Sequence, residues 1–349
     1  MKPKRGLLLL SSVRHQRSYA PLFQKRPDVE IVGLADAADL PNWMREANES
    51  FATQFDVPYF TDIDAALGRR DVEIVSICSE PTRHAALTLK SIRAGKHVWV
   101  DKPIATRLND ADEIVEAVDK AGITLTYVHR LLSPTIAAAR RAVDRGDIGL
   151  PYGLDITYLS AGGLTSGAVE DFQLVVDTSL SGGGELMNFL GYPVDEARYL
   201  TGLEVREVYI SAGNYFFEPH REHGVEDFGV AFLKMDRGVN VTTTVGRTQT
   251  PNHPTGGDYT LRIHGSAGSL YSDENKPVLN VFSNNVTSRS RMTRSAGESM
   301  MEPLVDEFLK CIEEGRQPTR TARDGRALIA VIEAAYRSMS TGNVEPVEP

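Results

Sequence analysis

Asn188 and Tyr192 stand four residues apart at the end of the stretch Ser-Gly-Gly-Gly-Glu-Leu-Met-Asn-Phe-Leu-Gly-Tyr, residues 181–192. A short helix opening at the glycines sends both side chains from one face, one above the other. An amide and a phenol would then share one pocket, the amide holding a ligand hydroxyl and the phenol handling its proton. A phenol with an ordinary pKa of about 10 is a poor base at neutral pH, so that role needs a neighbouring ammonium, for which Lys102 is the candidate, the two handling the proton together. Glycines at 182–184 would let backbone approach a ligand, and the helix start would favour partial negative charge. The alternatives are a glycine turn with no ligand, and a tyrosine packed in the core with its hydroxyl on a carbonyl. Pro193 disfavours helical geometry at Tyr192, so a kink is expected there.

The elements that must position these groups fall into two blocks. Up to about residue 126, short apolar runs (Gly6–Leu10, Glu30–Ala35, Glu73–Cys78, His97–Val100, Thr124–Val128) alternate with helical stretches such as Arg83–Ala94 and Asp110–Ala121. In the latter, Ala111, Ile114, Val115 and Val118 form one apolar stripe. This is the pattern of a doubly wound parallel sheet, which binds ligands at the carboxyl ends of its strands. After Ser133 a helix runs to about Arg145, followed by a turn and then strands at 208–212, 225–235, 239–247, 259–264 and 279–282. Two closing helices follow, at about 301–314 and 322–340. The expected fold is therefore α/β: a dinucleotide-binding domain over 1–126 and a substrate and oligomerisation domain over 127–349, whose terminal helix could pack back on the first. Ser283–Ser299 reads as a mobile loop.

Composition narrows the function classes. The chain has 349 residues, 38 basic and 47 acidic, with a formal net charge of −9, so it offers no basic field for a nucleic-acid backbone. The apolar run Leu7–Leu10 is too short for a signal peptide or membrane span, and a cytoplasmic location is expected. Cys78 and Cys311 lack metal-ligand spacing and cannot make a disulfide framework. His220, Glu222 and His223 do not match zinc-protease spacing, so no metal is expected.

A dinucleotide fold ordinarily follows its first strand with Gly-X-Gly-X-X-Gly. Here Ser11-Ser12-Val13-Arg14-His15-Gln16-Arg17 occupies that place, Ser11, Val13 and Gln16 replacing the glycines. Either Ser11, Ser12 and Arg14 hold a pyrophosphate farther from the backbone, or the site is weakened. Asp36, closing the second strand, would accept the adenosine ribose hydroxyls and repel a 2′-phosphate, which favours NAD over NADP; a helix N-cap is the other reading.

The order of Ala-Gly-Lys-His-Val-Trp-Val-Asp-Lys-Pro (94–103), the glycine-triplet helix (182–192), Arg-Ile-His-Gly-Ser-Ala-Gly-Ser-Leu (262–270) and the ending around 314–342 resembles the glucose-fructose oxidoreductase / inositol dehydrogenase (Gfo/Idh/MocA) family over nearly the whole chain. The resemblance implies a Rossmann domain, a second α/β domain with a large open, mainly antiparallel sheet that often forms a homodimer or homotetramer interface, and oxidation or reduction of sugars and polyols with a nicotinamide cofactor. Asp101-Lys102-Pro103 is similar to the family's Glu-Lys-Pro, whose lysine reaches both substrate and nicotinamide. Removal of a hydride from a carbinol carbon needs a base for the hydroxyl proton, and a nearby cation stabilises the alkoxide. Asp101 could orient Lys102, and a surface lysine is the alternative. Tyr192 replaces the family's usual histidine, as in its tyrosine-containing branch, and Asn188 replaces an aspartate. Ser79, Pro81, His84 and His129 match segments on the nicotinamide side, although a lone histidine after a strand is often structural. Tyr158, expected at a strand end, and Gln173 and Asp177 could contact sugar hydroxyls; His253 could border the pocket. Two functions are carried forward: an NAD-dependent sugar or polyol oxidoreductase, and a non-catalytic relative that binds a nucleotide or sugar as a sensor, favoured by the glycine-free loop and Asn188.

Overall fold

The computed structural model describes residues 4–161, 171–248, 257–274, 278–283, 287–291 and 301–349. Among these, residues 4–128, 171–182 and 301–326 form one compact unit and the remainder a second. His253 lies outside the described residues.

The apolar runs of the first unit become six strands, β1 (Arg5–Leu10), β2 (Val29–Ala35), β3 (Tyr59–Phe60), β4 (Ile74–Ile77), β5 (His97–Val100) and β6 (Leu125–Tyr127), in the order β3-β2-β1-β4-β5-β6. Every pairing is parallel. Parallel strands need covering on both faces, and Leu7 to Leu10 are accordingly fully buried on either side of β1. The helix Leu108–Ala121 buries Ala111, Ile114 and Val118 of the expected stripe together with Leu108, while Val115 is only half-buried. Trp99 on β5 anchors an aromatic cluster, with ring centroids 5.6 Å from Tyr19, 5.3 Å from Phe23 and 5.8 Å from Phe308 of the helix Glu302–Glu314. The chain leaves β1 and β4 in opposite directions across the sheet, which opens a crevice at their carboxyl ends.

Residues 171–182 belong with this first unit, and so Gln173 and Asp177 do too, rather than with the second block as the sequence suggests. The reason is specific tethering: Arg14 donates to the Leu174 carbonyl at 2.9 Å, and the Thr82 hydroxyl to those of Ser179 and Leu180 at 2.9 and 3.1 Å.

The second unit is built on a nine-stranded sheet: β7 (Pro151–Ala161), β8 (Val205–Gly213), β9 (Phe228–Met235), β10 (Asn240–Thr248), β11 (Gly257–Gly265), β12 (Gly268–Asp273), β13 (Val278–Ser283), β14 (Thr287–Arg291) and β15 (Glu345–Pro346), ordered β14-β13-β12-β11-β7-β10-β9-β8-β15. Within this second sheet, only β7 and β10 pair in parallel among the described strands. In β9 buried Gly229, Ala231, Leu233 and Met235 alternate with exposed Val230, Phe232 and Lys234, so one face lines a core and the other is open. The helices Pro134–Asp144 and Gly191–Thr201 pack on this sheet. Two expectations are corrected. Thr287–Arg291, inside the supposed mobile loop, is an edge strand paired with β13, and Tyr158 lies within β7, opposite Tyr259 of β11, rather than at a strand end. No helix among the described residues is long and apolar enough to cross a membrane.

Candidate functional site

In the first unit, Ser11 has φ +63°, a left-handed conformation that glycine adopts without cost and other residues seldom do. The tight turn of a dinucleotide loop is thus made without its glycine. Ser11 is buried, and its hydroxyl has no hydrogen-bond partner among the described residues. A buried orphan hydroxyl at this turn, immediately before the helix Gln16–Gln24, suits an anionic ligand oxygen. Val13 and Gln16, at the other glycine positions, are fully buried, Gln16 accepting from the Ser76 hydroxyl at 3.0 Å. Ser12 gives both its N–H and its hydroxyl to the Asn48 side-chain oxygen, each at 2.8 Å, and the Asn48 amide donates to Asp36 at 2.9 Å. Asp36 is therefore not a helix cap, since the helix after β2 begins at Asn42 with Pro41 at its N-cap. It closes β2 as one node of a chain running from Ser12 through Asn48 to Arg83, which pairs with both Asp36 and Glu80.

Asp101, directly after β5, is fully buried and accepts from His15 Nδ1 at 2.6 Å, the Tyr19 hydroxyl at 3.1 Å and the Lys102 backbone N–H at 2.8 Å. Burial alone would raise its pKa; His15 and the Arg14 guanidinium hold it well below the usual carboxylate range instead. Asp101 thereby fixes the backbone of Lys102, which is half-buried. His84 is fully buried with Nδ1 2.6 Å from the Pro103 carbonyl and Nε2 3.0 Å from that of Ser79. It ties the loop after Lys102 to the loop after β4. Ser79 and Pro81 are fully buried, Ser79 donating to the Glu80 carbonyl, and Asp177 caps the helix Thr178–Ser181 through the Ser179 N–H at 2.9 Å. Gln173 is half-buried at the start of the helix Gln173–Val176.

In the second unit, Asn188 and Tyr192 fall on two abutting helices, Glu185–Phe189 and Gly191–Thr201, the interruption coming just before Pro193. Between 185 and 198 every residue is buried except Asn188, Gly191 and Tyr192, which form a half-exposed stripe at helical spacing. Below Asn188 sits Glu185, fully buried, which accepts the Asn188 amide at 2.8 Å, His220 Nε2 at 3.1 Å and the Arg247 guanidinium. Burial would raise its pKa, but Arg247 and these hydrogen bonds bring it down to about 2. The Tyr192 ring stacks on Tyr158 at 4.6 Å and 14°. The Arg130 guanidinium lies 5.3 Å over Tyr158 and 5.0 Å over Tyr259, and donates to the Tyr158 hydroxyl and to Glu274. His129 is buried, its Nδ1 accepting from the Leu131 N–H at 3.3 Å.

Gly183 and Gly184 serve packing. A Cβ on Gly183 would come 2.2 Å from the Tyr336 hydroxyl, and one on Gly184 2.5 Å from the Glu226 carbonyl oxygen. The residues that sequence reasoning missed are those doing the bracing. Asn48 sits in an ordinary polar helix, Arg83 and Arg130 beside the histidines that drew attention, and Glu185 among apolar residues. An acid inside Gly-Gly-Glu-Leu-Met was the one available signal.

Comparison with known proteins bears on the same segments. A family model described as the oxidoreductase family, NAD-binding Rossmann fold, matches residues 13–129, and the GFO/IDH/MocA C-terminal domain model matches 136–271. The chain is 28% identical to 1,5-anhydro-D-fructose reductase of Ensifer adhaerens over 82% of this chain and 84% of that one. It is 26% identical to myo-inositol 2-dehydrogenase of Thermotoga maritima over 77% and 78%. The solved structure of levoglucosan dehydrogenase in complex with NADH shares the fold, with TM-score 0.82, 20% identity and 99% of each chain covered.

Proposed function

Because the chain belongs to the Gfo/Idh/MocA oxidoreductase family, we propose that it transfers a hydride between a nicotinamide dinucleotide and a sugar, polyol or related hydroxyl or keto compound. The observation that carries the cofactor half of this reading is Ser11, which adopts the glycine conformation and presents a buried, unpartnered hydroxyl where a pyrophosphate would lie. The bound nicotinamide supplies the hydride acceptor or donor. Ser11 holds a phosphate oxygen and Asp36 lies toward the adenosine ribose, whereas Ser12, expected as a second phosphate ligand, has given both of its donors to Asn48 and braces the turn instead. Arg14 acts by fixing residues 173–176 and by sustaining the charge of Asp101.

For the proton, the proposal assigns Tyr192 to accept it from the substrate hydroxyl in the oxidative direction. Lys102 stabilises the developing alkoxide as an ammonium. Asn188, its amide nitrogen committed to Glu185, turns its carbonyl oxygen to a substrate hydroxyl. Tyr158, Gln173 and Asp177 are proposed substrate contacts, and Ser79, Pro81, His84 and His129 border or brace the nicotinamide side. Both cysteines are buried thiols, which suits a reducing compartment, and the cytoplasm is the proposed location. The exposed Tyr209, Val230, Phe232 and Phe282 on the second sheet fit burial in a homo-oligomer.

The test starts with fluorescence titration of the full chain with NADH, followed by turnover with a panel of pyranoses and cyclic polyols. K102A and Y192F should bind NADH as the wild type does and lose at least about a hundredfold in kcat, the usual scale of acid–base catalysis. Absence of NADH binding, or unchanged kcat in both variants, would defeat the proposal.

A further inference from the structure

Asp36 carries more donors than a ribose-reading carboxylate can easily share. Its Oδ1 accepts the Ala37 N–H at 2.8 Å and the Arg83 guanidinium, and its Oδ2 accepts Asn48 at 2.9 Å. A carboxylate has about four lone-pair sites, two on each oxygen. Oδ1 is therefore filled, and a ribose diol, which asks for one acceptor on each oxygen, can dock in that way only after Arg83 leaves.

Arg83 is itself held from two sides. Its other nitrogen lies 3.2 Å from Glu80 Oε1. Glu80 is buried, its second oxygen has no partner among the described residues, and burial pushes its pKa up. Arg83 lies directly on Asp36, so the negative field that would turn away a 2′-phosphate is weakened at that carboxylate. A phosphate also offers the planar guanidinium two oxygens at once while leaving its contact with Asp36 in place. A plain ribose offers only hydroxyls that compete with Arg83 for the same carboxylate.

We propose that Arg83 is the specificity-determining residue of the dinucleotide site, covering Asp36 so that the site accepts the 2′-phosphorylated cofactor as well as the unphosphorylated one. This rests on the reading of the first unit as a nicotinamide dinucleotide site. Asp36 alone would predict strong discrimination against NADPH, and the pairing removes it.

The experiment is titration of the full-length protein with NADH and with NADPH, followed by nicotinamide fluorescence, for the wild type, R83A and R83K. No substrate is needed. The wild type should bind both with dissociation constants within about tenfold of each other. R83A should raise the NADPH constant by at least about tenfold while leaving the NADH constant unchanged or lower, since Asp36 is released to the ribose. R83K keeps the charge but not the two-pronged geometry and should fall between them. Parallel thermal melts show whether each variant is folded; were R83A unfolded, the intermediate ratio in R83K would carry the test. A ratio of the two constants that moves by less than about threefold in both variants, or a wild type preferring NADH by more than about a hundredfold, would overturn the proposal. Binding of neither nucleotide to the wild type would overturn the dinucleotide reading, and this inference with it.

Discussion

Asp101 in the first unit and Glu185 in the second are both fully buried carboxylates, and both sit beneath a residue proposed to meet the substrate. They brace it differently. Asp101 accepts the backbone N–H of Lys102, so it fixes where the loop runs and leaves the lysine chain to reach. Glu185 accepts the side-chain amide of Asn188, so it fixes which end of the amide faces outward. Their partners differ to match. Asp101 relies on a histidine, a tyrosine and a nearby arginine, whereas Glu185 has direct contact with the buried guanidinium of Arg247. A backbone can be held by modest hydrogen bonds, while a side-chain anion buried in a helix needs a full counter-charge.

The largest way to break the comparison is E185A. It leaves Arg247 buried beside Phe189 without its carboxylate, and a loss of about 3–5 kcal/mol in unfolding free energy is expected by denaturant titration. A loss below about 1 kcal/mol would show that water replaces Glu185 easily. D101N should cost less, about 1–3 kcal/mol, because shape is kept and the side chain is held by hydrogen bonds from His15, Tyr19 and the Lys102 N–H. The sharper prediction is that D101N lowers kcat through Lys102 while NADH binding persists.

Glu196 is the third member of the set and has the opposite fate. Burial, then the neighbouring Glu274 carboxylate, push its pKa up to about 8, from 4.5. Its folded-state pKa lies above its unfolded value, so the unfolded chain releases this proton first. Stability is therefore whole below about 4.5 and declines as pH rises toward about 8. E196Q, locked in the neutral form, should flatten the fall in Tm across that window, and an unchanged slope would assign the fall to other groups.

How far the sequence alone reached can be seen in single elements. The strands of the first sheet were legible because burial on both faces makes unbroken apolar runs. β7 was legible only as a strand ending at Tyr158, without its start and its last three residues, because Pro-Tyr-Gly-Leu-Asp-Ile-Thr-Tyr opens with turn formers and keeps polar residues on its open face. β14, Thr-Ser-Arg-Ser-Arg, has no apolar residue at all; it pairs on one side only and reads as a loop. Asn188 and Tyr192 were legible from spacing, yet Glu185 was not, since what stabilises it is Arg247, sixty-two residues away on another element. Ser11 shows the reverse limit. Absence of glycine argued for a pyrophosphate held farther from the backbone or for a weakened site, and the backbone adopts the left-handed conformation there with a serine.

The aromatic cluster on β5 also makes the molecule self-reporting. The chain has two tryptophans, Trp43 and Trp99, and both lie in the first unit, one half-exposed on the helix Asn42–Gln54 and one fully enclosed. Indole emission therefore follows the melting of that unit alone, while far-ultraviolet dichroism follows both. A substitution in the second unit can thus be weighed against an internal optical standard that it does not contain.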